Sequence, residues 1–151
     1  MIAVDTNILV YAHRRDSEWH KKAAKAVAGL AEGAAPWAVA WPCLHEFLAI
    51  VTHPRVYKPP TPVERAPEQV DIWLESPPLR VLGEMAGHWK ELAEIVAGGR
   101  IAGGAIHDAR VAAICREHGV REIWSAEPRL HPDTRIVGSE SAAFDLAKQM
   151  N

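Results

Sequence analysis

Cysteine is scarce in this sequence, and so are long hydrophobic runs. The two cysteines among 151 residues, Cys43 and Cys115, lie in apolar segments and lack the spacing of a zinc ribbon or of a CxxC redox site. No stretch reaches the roughly 18 apolar residues that a membrane span needs, and no basic region followed by an apolar one opens the chain. We therefore expect a soluble cytoplasmic protein without a membrane partner, whose cysteines are small core residues in a reducing compartment.

An excess of charge of one sign is also missing. The formal net charge is −2 and the isoelectric point is about 6.4, so binding of nucleic acid through bulk positive charge is excluded, whereas a local basic patch is not. The length fits a single domain over residues 1–151. Six tryptophans and 48% hydrophobic residues are generous for one small domain, which indicates apolar surface for self-association or for a partner helix.

Short apolar segments alternate with helical patterns along the chain. Strands are predicted at residues 1–4, 36–41, 79–82, 122–125 and 135–137. Helices are predicted from residue 8, at 17–30, from 42 to before 54, around 70–74, at 89–96 before two glycines, at 105–117 and at 142–149. Such alternation predicts an α/β fold with a mainly parallel sheet that is covered by helices on both faces. The proline-rich stretch 57–62 is predicted to be an ordered surface loop.

Polar side chains follow the first predicted strand at once. Asp5, Thr6 and Asn7 come directly after residues 1–4 and before an apolar helical pattern. The carboxyl ends of strands in open α/β sheets line the crevice where ligands bind, and an aspartate there suits a hard cation such as Mg²⁺. The same three residue types are also favoured at the N-cap of a helix. Both interpretations stay open from these residues alone.

Four acidic residues fall at strand ends or near helix starts: Asp5, Glu46, Asp108 and Glu127. Because parallel strands end at one edge of a sheet, these carboxylates can converge although they lie far apart in the sequence. Clustered carboxylates repel one another, and a bound cation would offset that repulsion. Each acid alone also has an ordinary role: Glu46 in the first turn of a helix, Asp108 as a helix cap and Glu127 as a loop residue.

The segments around these acids resemble, in order, the acidic motifs of PIN domains, and more narrowly those of VapC-type toxins. They are Val4-Asp5-Thr6-Asn7, Cys43-Leu44-His45-Glu46-Phe47, Ile106-His107-Asp108-Ala109 and Trp124-Ser125-Ala126-Glu127. Residues 52–56 and 117–120 resemble that family too, so the similarity covers nearly the whole chain. The resemblance implies a three-layer α/β/α sandwich with four to five strands. It also implies an endoribonuclease that depends on Mg²⁺ or Mn²⁺, acts as the toxin of a toxin–antitoxin pair, forms a homodimer and is inhibited by a cognate antitoxin.

The resemblance also implies roles for individual residues in the attack of a metal-activated water on an RNA phosphodiester. Asp5 and Asp108 would be metal ligands, Glu46 a further ligand or a group that orients water, and Glu127 an outer contributor. Two neighbours, Thr6 and Asn7, would fix the carboxylates through hydrogen bonds. The two residues expected to contact phosphate are Arg110 and Arg129.

One segment departs from the family pattern. Where relatives carry a second acid after the fourth strand, residues 125–130 place Glu127 and then Arg129. A cation at that position predicts one well-occupied metal site and slower cleavage than in relatives with the acid. It also supports the alternative function, a catalytically weak PIN-like module that binds RNA or a protein. Other enzyme classes fit poorly, since Asn7 stands where a haloacid-dehalogenase-like phosphatase needs an aspartate and Ala49 where a zinc protease needs histidine.

Overall fold

The structure is a computed structural model of the chain, and it describes residues 1–126. The predicted fifth strand at 135–137 and the predicted terminal helix at 142–149 lie outside the described residues. The same holds for Glu127 and Arg129. The roles that the sequence predicts for these two side chains therefore remain predictions.

The described residues form one four-stranded parallel sheet in the order β3-β2-β1-β4. Its strands are β1 (Ile2–Val4), β2 (Trp37–Ala40), β3 (Leu79–Leu82) and β4 (Glu122–Trp124). In the register, Ile2 of β1 lies opposite Trp37 on one side and Glu122 on the other. The predicted parallel sheet is confirmed, and its topology brings the carboxyl ends of all four strands to one edge.

Six helices flank the sheet within residues 1–126. They are α1 (Thr6–His13), α2 (His20–Glu32), α3 (Trp41–Val51), α4 (Arg65–Leu74), α5 (His88–Gly99) and α6 (Ala105–Glu117). The prediction that Gly98 and Gly99 stop α5 is wrong in detail, because both glycines lie inside its last turn. The last residue of the helix is Gly99, and the C-cap that follows is Arg100, whose φ of 50° supplies the left-handed conformation that a glycine would usually provide.

The main hydrophobic core lies around the sheet. Trp37 of β2 is fully buried, and Phe47 of α3 meets Trp73 of α4 edge to face with ring centroids 4.8 Å apart. Cys43 and Cys115 are free and buried in this core, as expected. A second cluster joins α5 to α6. None of the helices between residues 1 and 126 is long and apolar enough to cross a membrane.

Candidate active site

Asp5 lies where β1 ends and α1 begins. Its backbone N–H donates to the carbonyl of Trp124 (2.9 Å), which extends the pairing of β1 with β4 by one residue. Its Oδ1 accepts from the N–H of Thr6 (2.8 Å), and its Oδ2 accepts from the Ser125 hydroxyl (2.8 Å) and the Asn7 amide (3.3 Å). The two interpretations of Asp5 are therefore compatible, because one oxygen caps the helix while the other belongs to a polar cluster.

Burial raises the pKa of Asp5 from 3.8 to about 6. Hydrogen bonds from Ser125 and Thr6 act in the opposite direction, and the nearby charges of Glu46 and Asp108 raise the pKa further. The groups that donate to Asp5, including the Cys43 thiol at 3.9 Å, are neutral. Burial and the Asp5 charge also raise the pKa of the Cys43 thiol, which stays protonated. The ionised Asp5 carboxylate thus lacks an opposite charge from these donors, and this favours a cation at its surface.

Thr6 connects the end of β1 to α3. Its side chain is only 3% exposed, and its hydroxyl donates to Oε2 of Glu46 at 2.6 Å. This hydrogen bond joins residues that are 40 positions apart and holds the Glu46 carboxylate on the side of Asp5. The expectation that Thr6 fixes a carboxylate agrees with this contact, and the carboxylate concerned is that of Glu46.

Asn7 and Ser125 connect the start of α1 to the segment after β4. The Asn7 amide donates to Oγ of Ser125 (3.0 Å), and the N–H of Ala126 donates to Oδ1 of Asn7 (3.0 Å). Ser125 is buried and donates to Asp5. No role for Ser125 was predicted from the sequence. The available signal was its position as the last residue of a predicted strand, at the same sheet edge as Asp5.

Three of the four predicted acids line one cavity of about 350 Å³. Asp5 lies at the sheet edge, Glu46 lies on α3, and Asp108 lies in the first turn of α6. The remaining lining residues are Pro42, His45, Ala49, His107, Arg110 and Val111. The structure therefore brings Asp5, Glu46 and Asp108 to one place, next to Arg110.

The donor chemistry of this cavity fits a hydrated hard cation. Within residues 1–126, no group of three or more His, Cys, Asp or Glu side chains is arranged so that it could hold a metal ion. Mg²⁺ does not need three protein ligands, since proteins usually bind it through one or two carboxylates while it keeps several waters. Asp5 and Asp108 provide two carboxylates on one cavity, with Glu46 beside them.

Arg110 lies on the same helix as Asp108 and also lines the cavity. Its Nε donates to Oε1 of Glu84 at 2.6 Å, and both side chains are partly exposed. An exposed pair of this kind contributes little stability, so its main effect is to limit where the guanidinium can lie. This position is compatible with the predicted phosphate contact.

Residues 2–132 match the family model of the PIN domain. The chain belongs to the PIN-domain family. It is similar to Ribonuclease VapC48 of Mycobacterium tuberculosis, with 31% identity over 121 residues that cover 80% of this chain and 83% of the relative. It is also similar to VapC ribonuclease Mb2897 of Mycobacterium bovis, with 32% identity over 118 residues that cover 78% of this chain and 80% of the relative. These relatives place this PIN-domain chain among the VapC ribonucleases, as the sequence motifs predicted.

Two solved structures share the PIN-domain fold of this chain. One is Mycobacterium tuberculosis VapC20, described as a toxin that cleaves the sarcin-ricin loop, with a TM-score of 0.66 at 16% identity, covering 86% of this chain and 92% of that one. The other is VapBC2 from Rickettsia felis bound to a promoter DNA fragment, with a TM-score of 0.62 at 18% identity, covering 88% and 95%. At such identities the likeness confirms the expected α/β fold.

Proposed function

We propose that this chain is an endoribonuclease of the VapC type, which hydrolyses RNA phosphodiester bonds with Mg²⁺ or Mn²⁺ and acts as the toxin of a toxin–antitoxin pair. The observation that supports this most directly is the partly buried Asp5, which shares one cavity with Glu46 and Asp108. Carboxylates in that arrangement suit a divalent cation and a phosphodiester substrate. The similarity to proteins named VapC ribonucleases supports the same reaction.

Each side chain has a separate role in this proposal. Asp5 and Asp108 would hold the cation, and Asn7 and Ser125 keep the Asp5 carboxylate in one rotamer through their hydrogen bonds. A bound divalent cation supplies charge that stabilises the scissile phosphate and lowers the pKa of a water.

Thr6 holds Oε2 of Glu46, and we assign Oε1 of Glu46 to orienting the attacking water. Arg110 contacts a phosphate oxygen. We also assign Glu127 an outer role at the metal site and Arg129 a second contact with phosphate.

The proposal is tested by metal titration together with RNA cleavage. We expect Mn²⁺ to bind the wild-type chain in calorimetry with one well-occupied site and to bind Asp5→Asn much more weakly. RNA should be cleaved with Mg²⁺ or Mn²⁺ and should stay intact in EDTA. RNA binding by wild type without any cleavage, at every metal concentration, would contradict the enzyme and support the weakly catalytic binding module instead.

We also propose a cognate antitoxin and a second copy of the chain as protein partners. Several large apolar side chains are exposed on the described residues, and such surface is commonly covered by another chain. They include Val56, Val63, Ile72, Leu74, Met85 and Trp89. A cytoplasmic location is proposed as well, because both cysteines are free thiols, as is usual in a reducing compartment.

A further inference from the structure

An exposed tryptophan lies beside the acidic cavity. Trp41 is the first residue of α3, and its side chain is 44% exposed although tryptophan is usually well buried. The next residue, Pro42, lines the cavity together with Asp5 and Glu46. Trp41 therefore lies at the rim of the site, one residue from its wall.

The ring of Trp41 is held against a second ring that belongs to the cavity itself. Trp41 and His45 are one helical turn apart, with ring centroids 6.0 Å apart and planes inclined by 28°, so they are stacked. His45 lines the cavity and precedes Glu46. A Cβ placed at Gly83 would lie 3.6 Å from Cδ1 of Trp41, so the residue after β3 lies in contact range of the ring. The aromatic pair is thus a supported surface that is continuous with the acidic wall.

The other helix that lines the cavity contributes different chemistry. α6 provides Asp108 for the proposed cation and the guanidinium of Arg110 for a phosphate. Around one cavity the chain therefore combines groups for a cation, groups for a phosphate and two stacked aromatic rings. An RNA strand presents phosphates and flat bases at neighbouring positions, and aromatic rings bind unpaired bases of any identity through stacking.

We propose that Trp41 and His45 form a stacking site for one unpaired nucleobase next to the phosphodiester that the chain cleaves. This inference rests on the proposed ribonuclease function and adds a base-binding site to it. Because a base must leave its own stack to contact the rings, the base that binds there belongs to an unpaired segment. Stacking accepts every base, so the site favours unpaired structure and gives little preference for sequence.

Trp89 supplies the matched control. It is 77% exposed on α5 and does not line the cavity, so Trp89→Ala removes an exposed indole without touching the site. The test compares wild type, Trp41→Ala, Trp41→Phe and Trp89→Ala for binding of a short single-stranded RNA in EDTA and for cleavage with Mg²⁺. The RNA carries 2-aminopurine, a base whose fluorescence is quenched when it stacks on an aromatic ring.

We expect Trp41→Ala to weaken binding of the single strand by about tenfold and to raise KM more than it lowers kcat. Trp41→Phe should retain most of the affinity, Trp89→Ala should behave as wild type, and 2-aminopurine should be quenched by wild type but not by Trp41→Ala. Equal binding and equal quenching by wild type and Trp41→Ala would overturn the inference. So would an equal loss in Trp89→Ala.

Two further outcomes separate this inference from the proposed function. If wild type binds and quenches the RNA through Trp41 but never cleaves it, the ribonuclease proposal fails and the stacking site stands. If Trp41→Ala changes the sedimentation of the chain from dimer to monomer and leaves RNA binding unaltered, Trp41 belongs to a protein interface and the stacking site is refuted.

Discussion

The two sides of the acidic cavity are built in different ways. On the sheet side, Asp5 receives hydrogen bonds from the start of α1 and from the segment after β4, and Thr6 holds Glu46. On the α6 side, Asp108 lies in an exposed first turn, and residues 102–107 before it are exposed as well. The Asp5 carboxylate is thus fixed by partly buried polar groups, whereas the Asp108 carboxylate is presented by a helix end in contact with solvent.

This difference has an energetic meaning. Burial disfavours the ionised form of Asp5, so in the absence of a cation the charge on Asp5 opposes folding. A carboxylate in contact with water keeps more of its hydration, so the penalty from burial is smaller for it. We therefore expect substitutions on both sides to abolish activity, and those on the sheet side to have the larger effect on how stability responds to pH.

The largest expected effect comes from removing either of the two proposed metal ligands. Asp5→Asn and Asp108→Asn should each lower kcat/KM for RNA by more than about 100-fold, since even the partners of metal ligands contribute 10- to 100-fold. Both variants should fold, as judged by circular dichroism and cooperative thermal unfolding. Full cleavage in either variant would contradict the site assignment, and a large fall in melting temperature would show that the carboxylate stabilises the fold instead.

A smaller effect is expected from the hydroxyl that holds Glu46. Thr6→Val keeps the shape of the buried side chain but removes the donor to Oε2, so we expect about a tenfold loss in kcat. Thr6→Ser retains the hydroxyl and serves as the control. Equal rates for the valine and serine variants would show that this hydrogen bond does not orient Glu46.

The smallest effect is expected in the pH dependence of stability without metal. Asp5 has a pKa of about 6 when folded and an ordinary value of 3.8, so the folded chain binds more protons between these values. Stability from this residue is present below about pH 4 and is lost as the pH rises through 6, by at most about 3 kcal/mol. In urea titrations, the wild-type minus Asp5→Asn difference should show this loss.

Asp108→Asn provides a comparison for that measurement: it should keep the loss of stability but move it to lower pH, because the charge of Asp108 contributes to the raised pKa of Asp5. Added Mn²⁺ should restore the stability of wild type at neutral pH and should leave Asp5→Asn nearly unchanged. A wild-type profile that is parallel to that of Asp5→Asn between pH 4 and 7 would show that burial does not perturb the Asp5 carboxyl.

The fold could be predicted well from the sequence, because its signals are local. The bounds of β3 match the predicted residues 79–82, and the other described strands agree within one or two residues. Apolar runs of strand length and amphipathic spacing depend on neighbouring residues, so they are readable in one dimension. The end of α5 was placed less well, since whether a glycine ends a helix depends on packing that the sequence does not display.

The site could be predicted only in part. The convergence of Asp5, Glu46 and Asp108 follows from parallel topology, and the structure places all three on one cavity. The hydrogen-bond partners of the carboxylates were not predictable. The bonds from Ser125 to Asp5 and from Thr6 to Glu46 depend on rotamers that tertiary packing selects. The stacking of Trp41 on His45 joins residues one helical turn apart, so it is a local contact. The exposure of Trp41, in contrast, depends on the elements packed around it.

The pairing of β1 with β4 determines when the site can assemble during protein synthesis. β1 is in the interior of the sheet, while the Ser125 that fixes Asp5 lies 120 residues later in the chain. Protein synthesis proceeds from the N-terminus, so Asp5 is made 120 residues before Ser125 and acquires this contact only after Ser125 has left the ribosome. A nascent chain that stops short of Ser125 therefore lacks the assembled site, and the order of translation itself delays its assembly.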